Sequence, residues 1–160
     1  MKKFLSFALV LCMVLPVLAG CGKTDKVDVP AEMEFQLDDT GVSITLPTEL
    51  GFERMDSELN DYFGVGGNGE WCIIVNLDEK TDYSLEEYAK ESAKVNNAQD
   101  AQLDADGNYY FTYETDEYHF YTVVREDQNN FYRIAFYCFK DVWNNYKDSF
   151  PTWATTIKIS

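Results

Sequence analysis

The side chains best suited to chemistry are those of Cys12, Cys21, Cys72 and Cys138 and of the single histidine, His119. Thiolates and imidazoles serve as nucleophiles, general bases and metal ligands. No two of these cysteines stand at the short spacing typical of a zinc site. His119 has no accompanying nucleophile motif, so a strand histidine near solvent is a better interpretation than a general base. The sequence predicts no catalytic residue, no metal and no cofactor.

The first 21 residues have the pattern of an export signal. Lys2 and Lys3 precede an apolar run over residues 4–18. This run is shorter than the roughly 20 residues that a transmembrane helix needs. A basic start, a short apolar stretch and small residues after it are typical of a secretory signal peptide. Residues 1–20 are therefore assigned to the signal and left out of fold reasoning.

The signal ends in Leu18-Ala19-Gly20-Cys21, which resembles the lipobox of bacterial lipoproteins. The resemblance implies cleavage after Gly20 and a diacylglyceryl group on the thiol of Cys21, with fatty acids such as palmitate. The alternative is an ordinary signal peptide that happens to end in cysteine. A doubly acylated Cys21 would hold the protein on the outer, extracytoplasmic face of the cell membrane. The polar residues 21–32 then form a lipidated, flexible tether.

Charge and composition limit what the remaining chain can bind. The sequence has 13 basic and 28 acidic residues, a net charge of -15. Without Lys2 and Lys3 the balance is 11 against 28, or -17. Such a surface cannot neutralise phosphates, which excludes nucleic acid as a partner. Hydrophobic residues make up 46% of the chain, so residues 33–160 should fold as one domain with a substantial core.

Two cysteines remain after the signal and the lipid site are removed. Cys72 and Cys138 both lie in strand-like apolar runs, and an extracytoplasmic compartment permits disulfides. Either they form a bridge that closes a long loop, or they are two separate buried thiols.

The local patterns predict strands with two helices among them. Ser84 begins a helix, because Glu87 supplies the reciprocal cap and apolar residues follow on one face. Asp141 is expected to cap a second helix, which Pro151 must kink or split. The strands are expected around a hairpin at Asp39–Gly41, in a second hairpin around 66–70, in a meander over 101–139, and near the C-terminus over 155–159.

The order of these elements resembles the PsbP-like fold. The resemblance rests on Gly41–Pro47, on Ser84–Ala89 and on Tyr132–Phe136, and covers roughly residues 33–160. It implies an α+β domain, an α/β/α sandwich with a central, mainly antiparallel sheet and two main helices. It also implies an accessory, protein-binding role, although no functional residue carries over from the family.

Aromatic residues stand in both phases of the meander strands. A sheet covered on both faces explains this pattern, and so does an exposed patch for a partner. Three function classes remain. The expected function is that of a non-catalytic binding or accessory module for another envelope protein, ahead of a lipoprotein that binds a glycan, peptide or cation, and ahead of an enzyme. The candidate patch consists of Tyr109, Tyr110, Tyr113 and Tyr121.

Overall fold

A computed structural model describes residues 31–160, so the predicted signal peptide, the predicted lipid site at Cys21 and most of the predicted tether lie outside the described residues. Ten strands and three helices follow in chain order: β1 Glu32–Gln36, β2 Val42–Pro47, β3 Phe52–Arg54, β4 Tyr62–Gly66, β5 Trp71–Glu79, α1 Leu85–Val95, β6 Gln102–Leu103, β7 Tyr109–Glu114, β8 Tyr118–Glu126, β9 Asn130–Phe139, α2 Trp143–Tyr146, α3 Ser149–Ala154 and β10 Lys158–Ile159. No helix in this part of the chain has the length and apolarity to cross a membrane.

Seven strands form the main sheet, in the order β3-β4-β5-β9-β8-β7-β6. Every pair of neighbours is antiparallel. The long strands β5, β8 and β9 lie near its centre. In β8 and β9, consecutive residues are buried over part of the strand, so both faces of the sheet are covered there, whereas β5 buries alternate residues on one face. The predicted meander and the α+β class are confirmed.

A second sheet of three strands packs on one face of the main sheet. Its order is β1-β2-β10, and Val42, Ile44 and Leu46 of β2 enter the shared core. Gly41 closes the β1–β2 hairpin in the left-handed region, with φ of 75°. One face of the main sheet is therefore covered by a helix. The other face is covered by this small sheet together with α2 and α3.

Helix α1 lies on the opposite face of the main sheet. Ser84 and Glu87 form the predicted capping box, in which the Ser84 hydroxyl accepts from the Glu87 N–H and the Glu87 carboxylate accepts from the Ser84 N–H. The helix buries Ala89 and Ala93 against Phe111 and Val124. Small residues on this face bring the helix close to strands β7 and β8.

The second predicted helix is split in two, and its start differs from the prediction. Val142 occupies the N-cap of α2 without a side-chain cap, so Asp141 does not cap the helix as expected. Pro151 lies in the first turn of α3, where its missing N–H removes no helical hydrogen bond. Both short helices contribute large aromatic rings to the core, which ties them to the main sheet.

The indole of Trp71 lies at the centre of the shared core. It stacks on Phe52 at 5.7 Å and contacts the ring of Trp153 at 4.8 Å. Its ring lies directly over Gly66, at a distance that leaves no room for a Cβ atom. Gly66 is therefore required by the close approach of the indole.

We predict that Gly66→Ala destabilises the protein by about 1–3 kcal/mol, because the added methyl group overlaps a fully buried ring. Urea unfolding measures the loss. The same substitution should cost less in a Trp71→Leu background, where the ring is absent. An equal cost in the two backgrounds would show that the close approach is not the reason for the glycine.

Candidate functional site

The four tyrosines of the predicted patch do not share one surface. Tyr109 and Tyr113 point to the face of the main sheet that carries α1, where Tyr109 packs against the helix cluster. Tyr110 points to the other face and stacks on Tyr121 at 5.6 Å. Only Tyr121 is buried, at 9% exposure, and the others are half-buried. Side chains alternate along a strand, so neighbours such as Tyr109 and Tyr110 cannot join one patch.

The structure instead brings a different set of rings together beside Tyr113. They lie on the α1 face of the main sheet. Tyr113 also packs against the cluster that α1 buries, and the other four rings continue the surface beyond it. We call this set the aromatic surface, and it consists of Tyr113, Tyr118, Phe120, Tyr137 and Phe139.

Three rings of the aromatic surface form a continuous stack across neighbouring strands. Phe120 of β8 lies between Tyr113, at 4.4 Å and an interplanar angle of 7°, and Tyr137, at 4.9 Å and 21°. The register explains the stack, because Phe120 is paired with Tyr113 on one side and with Tyr137 on the other. Both faces of the Phe120 ring are thus covered by other rings, and ring edges point away from the sheet.

Tyr118 and Phe139 extend the stack toward the end of the sheet. Tyr118 meets Phe120 and Tyr137 edge-to-face, at 68° and 87°. Phe139 packs against Tyr118 at 4.8 Å and keeps 44% of its surface exposed. An exposed ring beside a cluster of rings is the kind of apolar patch that marks an interaction site.

A groove of about 400 Å³ runs beside this stack. Phe63 and Ile74 line it from β4 and β5, and the loop after β3 supplies the polar lining through Asp56, Ser57 and Asn60. The Ser57 hydroxyl accepts hydrogen bonds from the Asn60 N–H and side-chain amide, at 3.2 and 3.1 Å. A turn that is held by its own side chains therefore borders the groove.

The lining of the groove is acidic and carries no basic side chain among the described residues. The Asp56 carboxylate is fully exposed and lies 3.5 Å from Arg54 Nη1, while Arg54 also pairs with Asp38. Exposed acids Asp116 and Glu117 form the turn that leads into β8. The potential near the groove favours a positively charged ligand.

Two tyrosine hydroxyls of the aromatic surface are partly removed from water. This burial raises the pKa of both Tyr113 and Tyr137 above that of a free tyrosine. Both hydroxyls stay protonated and can act as hydrogen-bond donors, and that of Tyr137 already interacts with the Cys72 thiol.

Both remaining cysteines are free thiols in the structure. Cys72 is paired with Tyr137 and Cys138 with Trp71, so adjacent positions of two neighbouring strands direct the thiols to opposite faces of the sheet. Burial raises the pKa of Cys72, and raises that of Cys138 to about 11. The sequence left open a disulfide bridge or two separate thiols, and the structure has two separate thiols.

His119 lies on the face opposite the aromatic surface. Its ring stacks on Trp143 at 4.7 Å, and its Nδ1 lies 3.3 Å from a Glu114 carboxylate oxygen. Glu114 also pairs with Lys140 at 3.1 Å. These contacts give the imidazole a packing role at the start of β8. Within residues 31–160 no group of three or more His, Cys, Asp or Glu side chains is placed to hold a metal ion.

No protein family and no curated protein matches the chain by sequence. Among solved structures, the chain is similar to the solution structure of cyanobacterial PsbP (CyanoP) from Synechocystis sp. PCC 6803. The TM-score is 0.57 at 16% sequence identity, over 88% of this chain and 99% of that one. The chain has the PsbP-like fold. At this identity the likeness shows the architecture and no more.

Sequence reasoning missed most of the aromatic surface, although a usable signal was present. Tyr118 and Phe120 are two residues apart, as are Tyr137 and Phe139, so each pair must share a face of its strand. The two pairs meet only because the β8–β9 register sets Tyr118 opposite Phe139. That register depends on the length of the connecting turn, which the sequence does not give with single-residue precision.

We predict that Cys72 and Cys138 both react with iodoacetamide after unfolding without reductant, and that both react slowly in the folded protein at pH 8. The thiolate is the reactive form, and burial raises both pKa values, so little thiolate exists in the folded state. Mass spectrometry of peptides alkylated with and without denaturant measures this. Peptides that stay joined until a reductant is added would reveal a disulfide and contradict the structure.

Proposed function

We propose that the protein is a lipid-anchored, extracytoplasmic binding module that assists another envelope protein and has no turnover of its own. The observation that carries this proposal is the aromatic surface, an open area of stacked rings on the sheet face of which α1 covers only a part. Soluble proteins rarely expose contiguous apolar area without a binding role. Aromatic residues are also the side chains that most often dominate protein interfaces.

The anchor follows from the lipobox-like end of the signal, which lies outside the described residues. Two acyl chains on Cys21 would give stable attachment, at about 0.8 kcal/mol for each buried methylene group. Ala31 is ten positions after Cys21, and a fully extended chain spans at most about 35 Å over that length. The folded domain would therefore stay within a few nanometres of the bilayer.

The tether and the aromatic surface belong to the same end of the sandwich. The Thr48 N–H donates to the Ala31 carbonyl at 3.1 Å, and the Gly67 N–H donates to the Gly51 carbonyl at 3.2 Å. Gly67 follows the end of β4, where Tyr118 begins β8 and Phe139 ends β9. A protein held through residue 31 would thus present the aromatic surface close to the membrane, which favours a membrane protein as its partner.

A second candidate function is that of a lipoprotein that binds a small ligand such as a glycan or a peptide. The groove favours it, because about 400 Å³ lies within the range of small-molecule sites and Asp56, Ser57 and Asn60 offer polar groups. A protein partner and a small ligand would use the same rings, so a cross-linking experiment must identify the bound molecule.

We predict that the full-length protein partitions into the detergent phase of a Triton X-114 separation, and that Cys21→Ser abolishes this partitioning or leaves the signal uncleaved. Intact-mass spectrometry should find the diacylglyceryl group. Cys12→Ser is the matched control, because that cysteine leaves with the signal and its loss should change neither property. A soluble wild-type protein without lipid mass would exclude the anchor.

We also predict that a photo-reactive benzoylphenylalanine in place of Phe139 traps a specific envelope protein in the cells that make this protein. Phe139 is 44% exposed, so the substitution should be tolerated. The control carries the same group in place of Tyr83, which is 54% exposed and lies beside α1, away from the aromatic surface. Equal adducts from both positions, or none, would contradict the protein-binding role. A saccharide adduct at Phe139 would support the second candidate instead.

A further inference from the structure

We propose that the aromatic surface and its groove bind an apolar polypeptide segment that is flanked by lysine or arginine. This inference rests on the proposed function and names the chemistry of the partner. Three features of the described residues carry it: the orientation of the rings, the sign of the surrounding charge, and the shape of the groove.

The ring stack argues against a sugar or an isolated cation held at its central ring. A cation is held over the face of an aromatic ring, and a sugar ring stacks on that face in the same way. In the stack, Phe120 has Tyr113 on one face and Tyr137 on the other, so neither of its faces is open to such a ligand. The most exposed ring is that of Phe139, which packs against Tyr118. Clustered rings pack well against aliphatic side chains and against other rings, which a polypeptide supplies.

The charges around the groove indicate which residues flank the apolar segment of the partner. Asp56 and Glu58 lie in the loop beside the groove, and Asp116 and Glu117 lie in the turn before Tyr118. The nearby cations Arg54 and Lys140 already pair with carboxylates. Asp56 shares Arg54 with Asp38, so the acids on the two sides outnumber the nearby cations. Acids on two sides of an apolar surface are complementary to basic residues at the two ends of an apolar segment.

The same acids argue against the bilayer itself as the occupant. Bacterial and other anionic headgroups repel a carboxylate-rich rim, so the exposed rings would not insert into an anionic membrane. A protein segment with basic residues at its ends meets no such barrier, because its charges are complementary to the acidic rim.

The shape of the groove indicates side-chain insertion. The Met55 N–H donates to the Phe63 carbonyl at 2.8 Å, and β3 pairs with β4, so the backbone of β4 beside the groove is already paired. A partner cannot add a strand at that position. It must place its side chains between the loop that holds Ser57 and the ring stack, within about 400 Å³.

The test uses the full-length lipidated protein in phosphatidylcholine nanodiscs and a fluorescent probe peptide. The probe has a core of leucine, valine and phenylalanine with two lysines at each end. Comparison probes carry glutamate in place of lysine, or serine in place of the apolar core, and a neutral oligosaccharide is the fourth probe. Empty nanodiscs give the partitioning into lipid, which is subtracted.

We expect saturable binding of the lysine-flanked peptide alone. Phe139→Ser and Tyr118→Ser should each weaken it at least about tenfold, the effect of losing one anchor residue. Tyr83→Ser is the matched control for an exposed tyrosine and should leave binding unchanged.

Asp56→Asn should slow association, as should salt raised to about 0.5 M, while dissociation stays nearly constant. Asp82→Asn is the control for net charge, since Asp82 is exposed outside the groove.

Each other outcome overturns the inference. Equal affinity for the glutamate-flanked peptide would refute the role of the acids. Binding of the serine-core peptide, or insensitivity to both ring substitutions, would refute the role of the rings. Saturable binding of the oligosaccharide alone would favour the second candidate function. If no probe binds but the Phe139 cross-linker still traps an envelope protein, the proposed function stands and the segment chemistry is wrong. Unfolding midpoints of all variants verify that they fold.

Discussion

A sheet that is apolar on both faces is stabilised by covering both faces, and within residues 31–160 the helix α1 is too short to cover the whole of its face. The ten residues of β9 span roughly 33 Å at about 3.3 Å for each residue. The 11 residues of α1 give a helix only about 16 Å long. The helix covers Phe111 and Val124 and leaves the rings at the other end of β8 and β9 without a helical partner. The open area is thus a consequence of strand length and helix length.

The opposite face of the main sheet is also apolar, and it is covered. There the β1-β2-β10 sheet and the two short helices close over Trp71, which contacts Trp153 and stacks on Phe52. This face holds most of the largest fully buried side chains, whereas Phe111 and Phe131 lie on the α1 face, so most of the hydrophobic stabilisation comes from the side of Trp71. The two faces therefore differ in role: one supplies stability, and the other can carry a surface whose composition is set by a partner.

The elements of this fold were more predictable from the sequence than the surface was. The capping box at Ser84 and the hairpin at Gly41 depend on a few neighbouring residues, and both were found. The prediction that Asp141 caps the second helix was wrong, because Val142 is the N-cap residue of α2. The prediction that four tyrosines form one patch was wrong for a different reason. Tyr109 and Tyr110 are neighbours in sequence, but a strand sends them to opposite faces, while Tyr118 and Phe139 are distant in sequence and adjacent across β8 and β9. Local rules identify elements, and only the register identifies which side chains meet.

The aromatic surface can stay open because its rings satisfy one another. Stacking of Phe120 between Tyr113 and Tyr137 contributes about 0.5–1.5 kcal/mol for each pair beyond the area that it buries. The stack also fixes the rings before a partner arrives, so association loses little side-chain entropy at this site. The net charge of -15 makes separate copies of the protein repel one another, which opposes association through the exposed rings. If the aromatic surface binds a basic partner as we propose, the same charge serves both purposes, because it disfavours a second copy of this chain and favours the partner.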